Sequence, residues 1–189
     1  MNWEHYPRIR IAAALLRCGE VVAYPTEAVW GLGCDPSNAD AVARVLAIKG
    51  RATAKGLILI GASPAQLLPY LEELSSEELM RLSEPRPLAT TWVVPASRHA
   101  PFWITGGRAT IAVRVTGHPL AAALCRVFGG PLVSTSANPQ GKPPARTALK
   151  VRQYFRDAPV HVVAGPIGGG SRPSEIRELR SGDVLRPGG

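Results

Sequence analysis

The sequence lacks the features that mark several large functional classes. No apolar run approaches the roughly 20 residues that a bilayer span requires. The N-terminal MNWEHYPRIR has no apolar stretch of the secretory kind, so a cytoplasmic protein with no membrane association is expected. Cysteine occurs three times, at Cys18, Cys34 and Cys125, odd in number and without zinc spacing. Reduced, partly buried thiols are expected, not a disulfide framework. No HExxH, CxxC or Ser-His-Asp order is present, and His5, His99, His118 and His161 stand outside every polar cluster, as structural or solvated histidines do. WGLG at 30–33 lacks the third glycine of a dinucleotide fingerprint, and GGRAT at 106–110 is not a GxxxxGK[ST] loop.

The most informative deficit is local. Residues 86–172 hold eleven Lys/Arg and a single acid, Asp157, whereas residues 1–85 hold eight and ten. Arg makes up 18 of the 22 basic residues, a bias that GC-rich coding would produce, but coding bias does not remove acids. So one-sided a segment creates a positive field that attracts an anionic partner, nucleotide or nucleic acid.

What is present suits one well-filled domain over residues 1–189, with 46% hydrophobic residues. Helical spacing predicts helices at 8–18 (closed by Gly19), 38–49 (capped by Asn38) and 147–156, with another starting at Pro119. SPAQLLPYL reads as a helix start with Ser63 as cap, and SSEELMRLSE as a short helix, acidic at its N-terminal end. Apolar runs predict strands at 21–24, 57–60, 91–94, 110–115, 132–134 and 160–163. Helices interleaved with such runs imply an α/β fold with a largely covered, mixed sheet. The Gly/Pro-rich stretches at 139–144 and 165–173 read as surface loops.

Three polar clusters border these strands, where α/β proteins place ligands. The first is PTE at 25–27, followed by Gly31 and Gly33. The second is Lys49, Arg51 and Lys55, three cations with no acid between 41 and 71. Such a set can clamp phosphates, because Arg grips two oxygens and Lys adds a point charge; a solvated basic loop at a helix C-terminus fits the spacing as well. The third is STSAN at 134–138, whose hydroxyls and amide either bind a ligand or form a simple Asx/Ser turn.

Taken in order, AYPTEAVWGLGCDP, KGRATAKGLILI, IAVRVTGHPLAAALC, PLVSTSAN and PSEIR closely resemble the bacterial threonylcarbamoyl-AMP synthases of the TsaC/YrdC type, over about residues 8–187. The resemblance is to the short form, without a second domain. It implies a twisted mixed β-sheet with flanking helices around an open, positively charged cavity. It also implies synthesis of threonylcarbamoyl-AMP and pyrophosphate from L-threonine, bicarbonate and ATP, for the t6A modification of tRNA. By the same resemblance, Lys49 and Arg51 would be catalytic and hold ATP phosphates, with Lys55, Ser134, Ser136, Asn138 and Ser174 completing the ATP site. Thr26, Arg114 and Ser134 would take threonine. Mg²⁺ would enter through the ATP phosphates, with no dedicated metal site. Partner proteins that use the intermediate are implied, and tRNA or structured RNA is a further expected partner. An RNA-binding module without catalysis is the alternative; the low aromatic content, 6%, favours the enzyme because unpaired bases are usually held on aromatic platforms. Relatives differ at EPRPLATTWVVP, 84–95, where Arg86 replaces a Gly, and at Trp30 and Ala52.

Overall fold

A computed structural model describes residues 3–170 and 174–188. Among the described residues nine strands form one sheet: β1 (Val21–Pro25), β2 (Trp30–Gly33), β3 (Ile58–Gly61), β4 (Thr90–Pro95), β5 (Thr110–Val115), β6 (Leu132–Ser136), β7 (Val160–Val162), β8 (Glu175–Glu178) and β9 (Val184–Arg186). Their spatial order is β7-β1-β2-β6-β3-β5-β4-β8-β9. Three parallel pairs (β1 with β7, β3 with β5, β4 with β8) stand among five antiparallel ones, so the sheet is mixed as expected.

The described α-helices that pack on it are α1 (Pro7–Arg17), α2 (Ala39–Lys49), α3 (Pro64–Leu67), α4 (Ser76–Ser83), α5 (Phe102–Thr105), α6 (Pro119–Phe128) and α7 (Ala148–Tyr154). Local chemistry explains their ends. The Asn38 side chain accepts from Ala41 N at 3.0 Å to start α2, and Gly50, at φ 62°, ends it in the left-handed region. Ser75 and Glu78 form a reciprocal capping box on α4. Ser63 makes no side-chain cap; Gln66 instead accepts from Ala62 N at 2.8 Å, and the helix after Pro64 stops at Leu67.

Alternation along the strands divides the core. Val22 and Tyr24 pack with Ile9 and Leu16 of α1 and Leu120 and Leu124 of α6. Val21 and Ala23 face the opposite side, with Val42, Val45 and Leu46 of α2. Each such aliphatic side chain contributes about 1.5–3 kcal/mol when fully buried. Helices α1 and α6 cover only one end of their face. Leu132 and Ile60 lie beneath them, but Ser134 and Ile58, two residues along the same strands, line an open cavity. Side-chain period two carries one face from core to site without a break.

The WGLG segment is strand β2, and its glycines admit close neighbours. A Cβ on Gly33 would lie 2.4 Å from the Val133 carbonyl oxygen, and one on Gly31 would stand 3.2 Å from Thr26 and 3.4 Å from Ser134 Oγ. The loop predicted over 165–173 lies partly outside the described residues, at 171–173. Its described portion is a docked strap, not a loose surface loop: Gly168 N donates to Thr26 O and Gly170 N to Glu27 O, both at 2.9 Å.

Candidate functional site

The open end of the sheet face forms a cavity of about 670 Å³. Its floor is a row of register neighbours, Ser134, Ile58, Ala112 and Val93, one from each of four adjacent strands. The turn after β1 supplies one wall, with Thr26 and Glu27. Arg51, Lys55 and Arg108 supply a second, and Ser174 and Arg186 of the β8–β9 hairpin a third.

Of the residues singled out from sequence, the cavity brings together Thr26, Arg51, Lys55, Arg114, Ser134, Ser136 and Ser174. It does not bring Lys49 or Asn138 to its wall. Lys49 is 6% exposed, and its Nζ donates to the carbonyl oxygens of Ser136 and, at 2.8 Å, Asn138. These bonds clamp the loop after β6. Burial and the nearby Arg51 charge lower the Lys49 ammonium to about 8. Asn138 completes the same loop: its Oδ1 accepts from Ser136 Oγ at 2.6 Å, and its Nδ2 donates to Lys142 O at 2.7 Å. Within STSAN, Ser134, Thr135 and Ser136 line the cavity, and Ser136 and Asn138 also hydrogen-bond to each other within the loop.

At the end lined by Thr26 and Arg114, Thr26 Oγ1 donates to Val29 O at 2.7 Å and closes the β1–β2 turn. Arg114 is 8% exposed and pairs with Glu27 at 3.5 Å. Glu27 Oε1 accepts from Thr116 Oγ1 at 2.7 Å and from Gly117 N at 3.2 Å, so one carboxylate ties the β1–β2 turn to the end of β5. Burial opposes its ionisation, but the Arg114 guanidinium and the Thr116 hydroxyl outweigh that and hold the carboxyl below its usual range. His118 caps α6 by accepting from Ala121 N at 3.4 Å, and its Nε2 lies 3.1 Å from Pro166 O. Burial lowers its pKa, so it stays a neutral structural group, as expected. The thiols of Cys34 and Cys125 are buried and free, each pushed up to about 12, and Cys18 is exposed.

At the other end stand Arg51, Lys55, Arg108 and Arg186. Among the described residues none of the four has a carboxylate within ion-pair distance. Arg51 Nη2 donates to Gly56 O at 2.9 Å, and Arg186 Nη2 to Ser174 O at 2.8 Å, so backbone carbonyls hold these guanidiniums in place without neutralising them. Ser174 Oγ shares a hydrogen bond of 3.0 Å with Thr91 Oγ1. Uncompensated cations in a cavity form a site for a polyanion.

The positive segment did not locate this cavity. Of the five cations that line it, only Arg108 and Arg114 come from residues 86–172; Arg51 and Lys55 precede that segment and Arg186 follows it. Sequence reasoning also assigned no role to Glu27, Arg108 or Arg186. The signal for Arg108 was the Gly-Gly before it: Gly106 and Gly107 have φ of 66° and 81°, a turn that glycine alone adopts readily. Arg186 sits on a short strand without periodicity, and nothing in the sequence marked it.

Among the described residues, no cluster of three or more His, Cys, Asp or Glu could hold a metal. No described helix is long and apolar enough to cross a membrane. A family model named Sua5/YciO/YrdC, described as telomere recombination, matches residues 14–188. The chain is 60% identical over 181 residues to a threonylcarbamoyl-AMP synthase from Halorhodospira halophila, covering 95% of this chain and 94% of that one. It is 52% identical over 180 residues to one from Pseudomonas aeruginosa, covering 95% and 97%. Among solved structures, P. abyssi Sua5 complexed with L-threonine matches with a TM-score of 0.86 at 36% identity, covering 96% of this chain and 54% of that one. The chain thus spans about half the length of that protein. E. coli YciO, at a TM-score of 0.79 and 23% identity, shares the fold.

Proposed function

The chain belongs to the Sua5/YciO/YrdC family, and from that premise we propose that it is a threonylcarbamoyl-AMP synthase. It converts L-threonine, bicarbonate and ATP into threonylcarbamoyl-AMP and pyrophosphate. The intermediate serves the t6A modification of tRNA, in the cytoplasm, through partner proteins that take it up. The observation that carries this reading is the division of one cavity into two ends. One holds cations without counter-charges, and the other a small polar pocket built on Thr26, Arg114 and Ser134.

Arg51 and Lys55 bind the triphosphate, with the Ser136 hydroxyl and Ser174 beside it. Lys49 holds the loop after β6 and adds positive charge behind it. Arg114 takes the α-carboxylate of threonine, and Glu27 keeps that guanidinium in place. The carbamate formed from threonine and bicarbonate attacks the α-phosphate. No nucleophilic side chain is needed, and the protein contributes orientation and fixed positive charge where negative charge grows. Mg²⁺, if held by the triphosphate oxygens, would neutralise part of their charge. The donor set suits this, because Mg²⁺ takes few protein ligands when phosphates supply oxygens, and Glu27, the acid on the wall, is committed to Arg114 and Thr116.

The test is pyrophosphate release from Mg-ATP with each substrate omitted in turn. Release that needs both L-threonine and bicarbonate is expected. Release indifferent to threonine would refute the reading.

A further inference from the structure

Two guanidiniums flank one glycine on the cavity wall. Arg51 Nη2 donates to Gly56 O at 2.9 Å. On the other side, a Cβ on Gly56 would lie 2.8 Å from Arg108 Nη1. Gly56 therefore provides the space that Arg108 occupies, and Gly106 and Gly107 make the turn that delivers it. Both arginines line the cavity. Arg51 Nε is buried without a hydrogen-bond partner, and Arg108 has no acidic partner among the described residues.

Two like charges held this close repel each other unless an anion lies between them. The Arg108 charge adds to burial in pushing Arg51 below its ordinary value, which is the electrostatic expression of that repulsion. A monoanion would leave the pair under-neutralised. A diphosphate carries several charges over two phosphorus centres and offers each planar fork its own pair of oxygens.

Resting on the synthase reading above, we propose that Arg51 and Arg108 form a clamp for the departing diphosphate, with Arg108 a further catalytic residue. In the step concerned, a carbamate oxygen forms a bond to the α-phosphorus as the bond from that phosphorus to the bridging oxygen breaks. The electron pair leaves on the diphosphate, and no proton is transferred. Charge on the leaving group rises as the bond lengthens, so a fixed pair of guanidiniums there stabilises the transition state more than bound ATP. The AMP portion lies outside the clamp.

The experiment compares wild type, Arg108→Gln and Arg108→Lys by calorimetric titration with inorganic pyrophosphate and, separately, AMP. Loss of a charge-assisted contact predicts that Arg108→Gln binds pyrophosphate about tenfold to a hundredfold more weakly. AMP affinity stays within about twofold of wild type, and Arg108→Lys recovers part of the loss. In turnover, kcat falls while KM for L-threonine holds. Unchanged pyrophosphate affinity in Arg108→Gln, or equal weakening of AMP, overturns the proposal. Pyrophosphate binding is measured without threonine or bicarbonate, so a failure of the synthase reading shows separately, as wild-type pyrophosphate release that ignores threonine.

Discussion

Replacing Lys49 by Met keeps most of the side-chain length and removes the ammonium. Two effects oppose each other. Burial and Arg51 lower Lys49 from 10.5 to about 8, a displacement equivalent to about 3 kcal/mol against the charged form. The bonds to Ser136 O and Asn138 O are charge-assisted, and each contributes about 1.5–3 kcal/mol. The near-cancellation predicts that Lys49→Met loses only about 0–3 kcal/mol at pH 7.

The pH dependence is more diagnostic. Because the folded value lies below the unfolded one, the unfolded chain binds the proton that the folded chain has shed between about pH 8 and 10.5. Wild-type stability from this group therefore rises with pH, by about 2 kcal/mol between pH 7 and 9.5 relative to Lys49→Met. Activity should move the other way. kcat/KM for ATP reports ionisations of the free enzyme, so it falls as pH passes about 8, whereas Lys49→Arg, whose guanidinium stays charged, holds its value. Urea unfolding of wild type and Lys49→Met across this range gives the first trend, and pyrophosphate release the second. A stability difference that is flat with pH would refute the buried, shifted ammonium.

Substitutions at two further positions probe the other end of the cavity and the strand below it. Glu27→Ala leaves the Arg114 guanidinium buried without its carboxylate and is expected to cost about 3–5 kcal/mol in urea unfolding; Glu27→Gln, which can still accept from Thr116 and Gly117, costs less. The Glu27 carboxyl is depressed in the folded state, so its contribution is present above the ordinary carboxylate value and lost as pH falls through the folded one. The gap between wild type and Glu27→Gln therefore narrows in acid. Gly33→Ala places a Cβ 2.4 Å from a backbone oxygen of β6 that cannot rotate away; it should lower stability by about 1–3 kcal/mol or more in thermal unfolding, and an unchanged midpoint would show that the strands separate freely.

The sequence by itself determined the α/β class, most of the helices and the longer strands, because apolar spacing records which face of each element is buried. It also determined the family, through five motifs in fixed order. It did not reveal β8 and β9, whose exposed or half-buried residues carry no period-two signal, or β2, where two of four residues are glycines, which are depleted in strands. It marked Lys49, Arg51 and STSAN as polar clusters but could not divide their labour. That division depends on which atoms point at carbonyls and which at open space. Only the tertiary structure turned Lys49 inward, brought Arg108 beside Arg51 across Gly56, and stretched Glu27 from the β1–β2 turn to the end of β5. Each of these pairings joins elements distant along the chain, and no local pattern of residues encodes a distance that exists only once the sheet has folded.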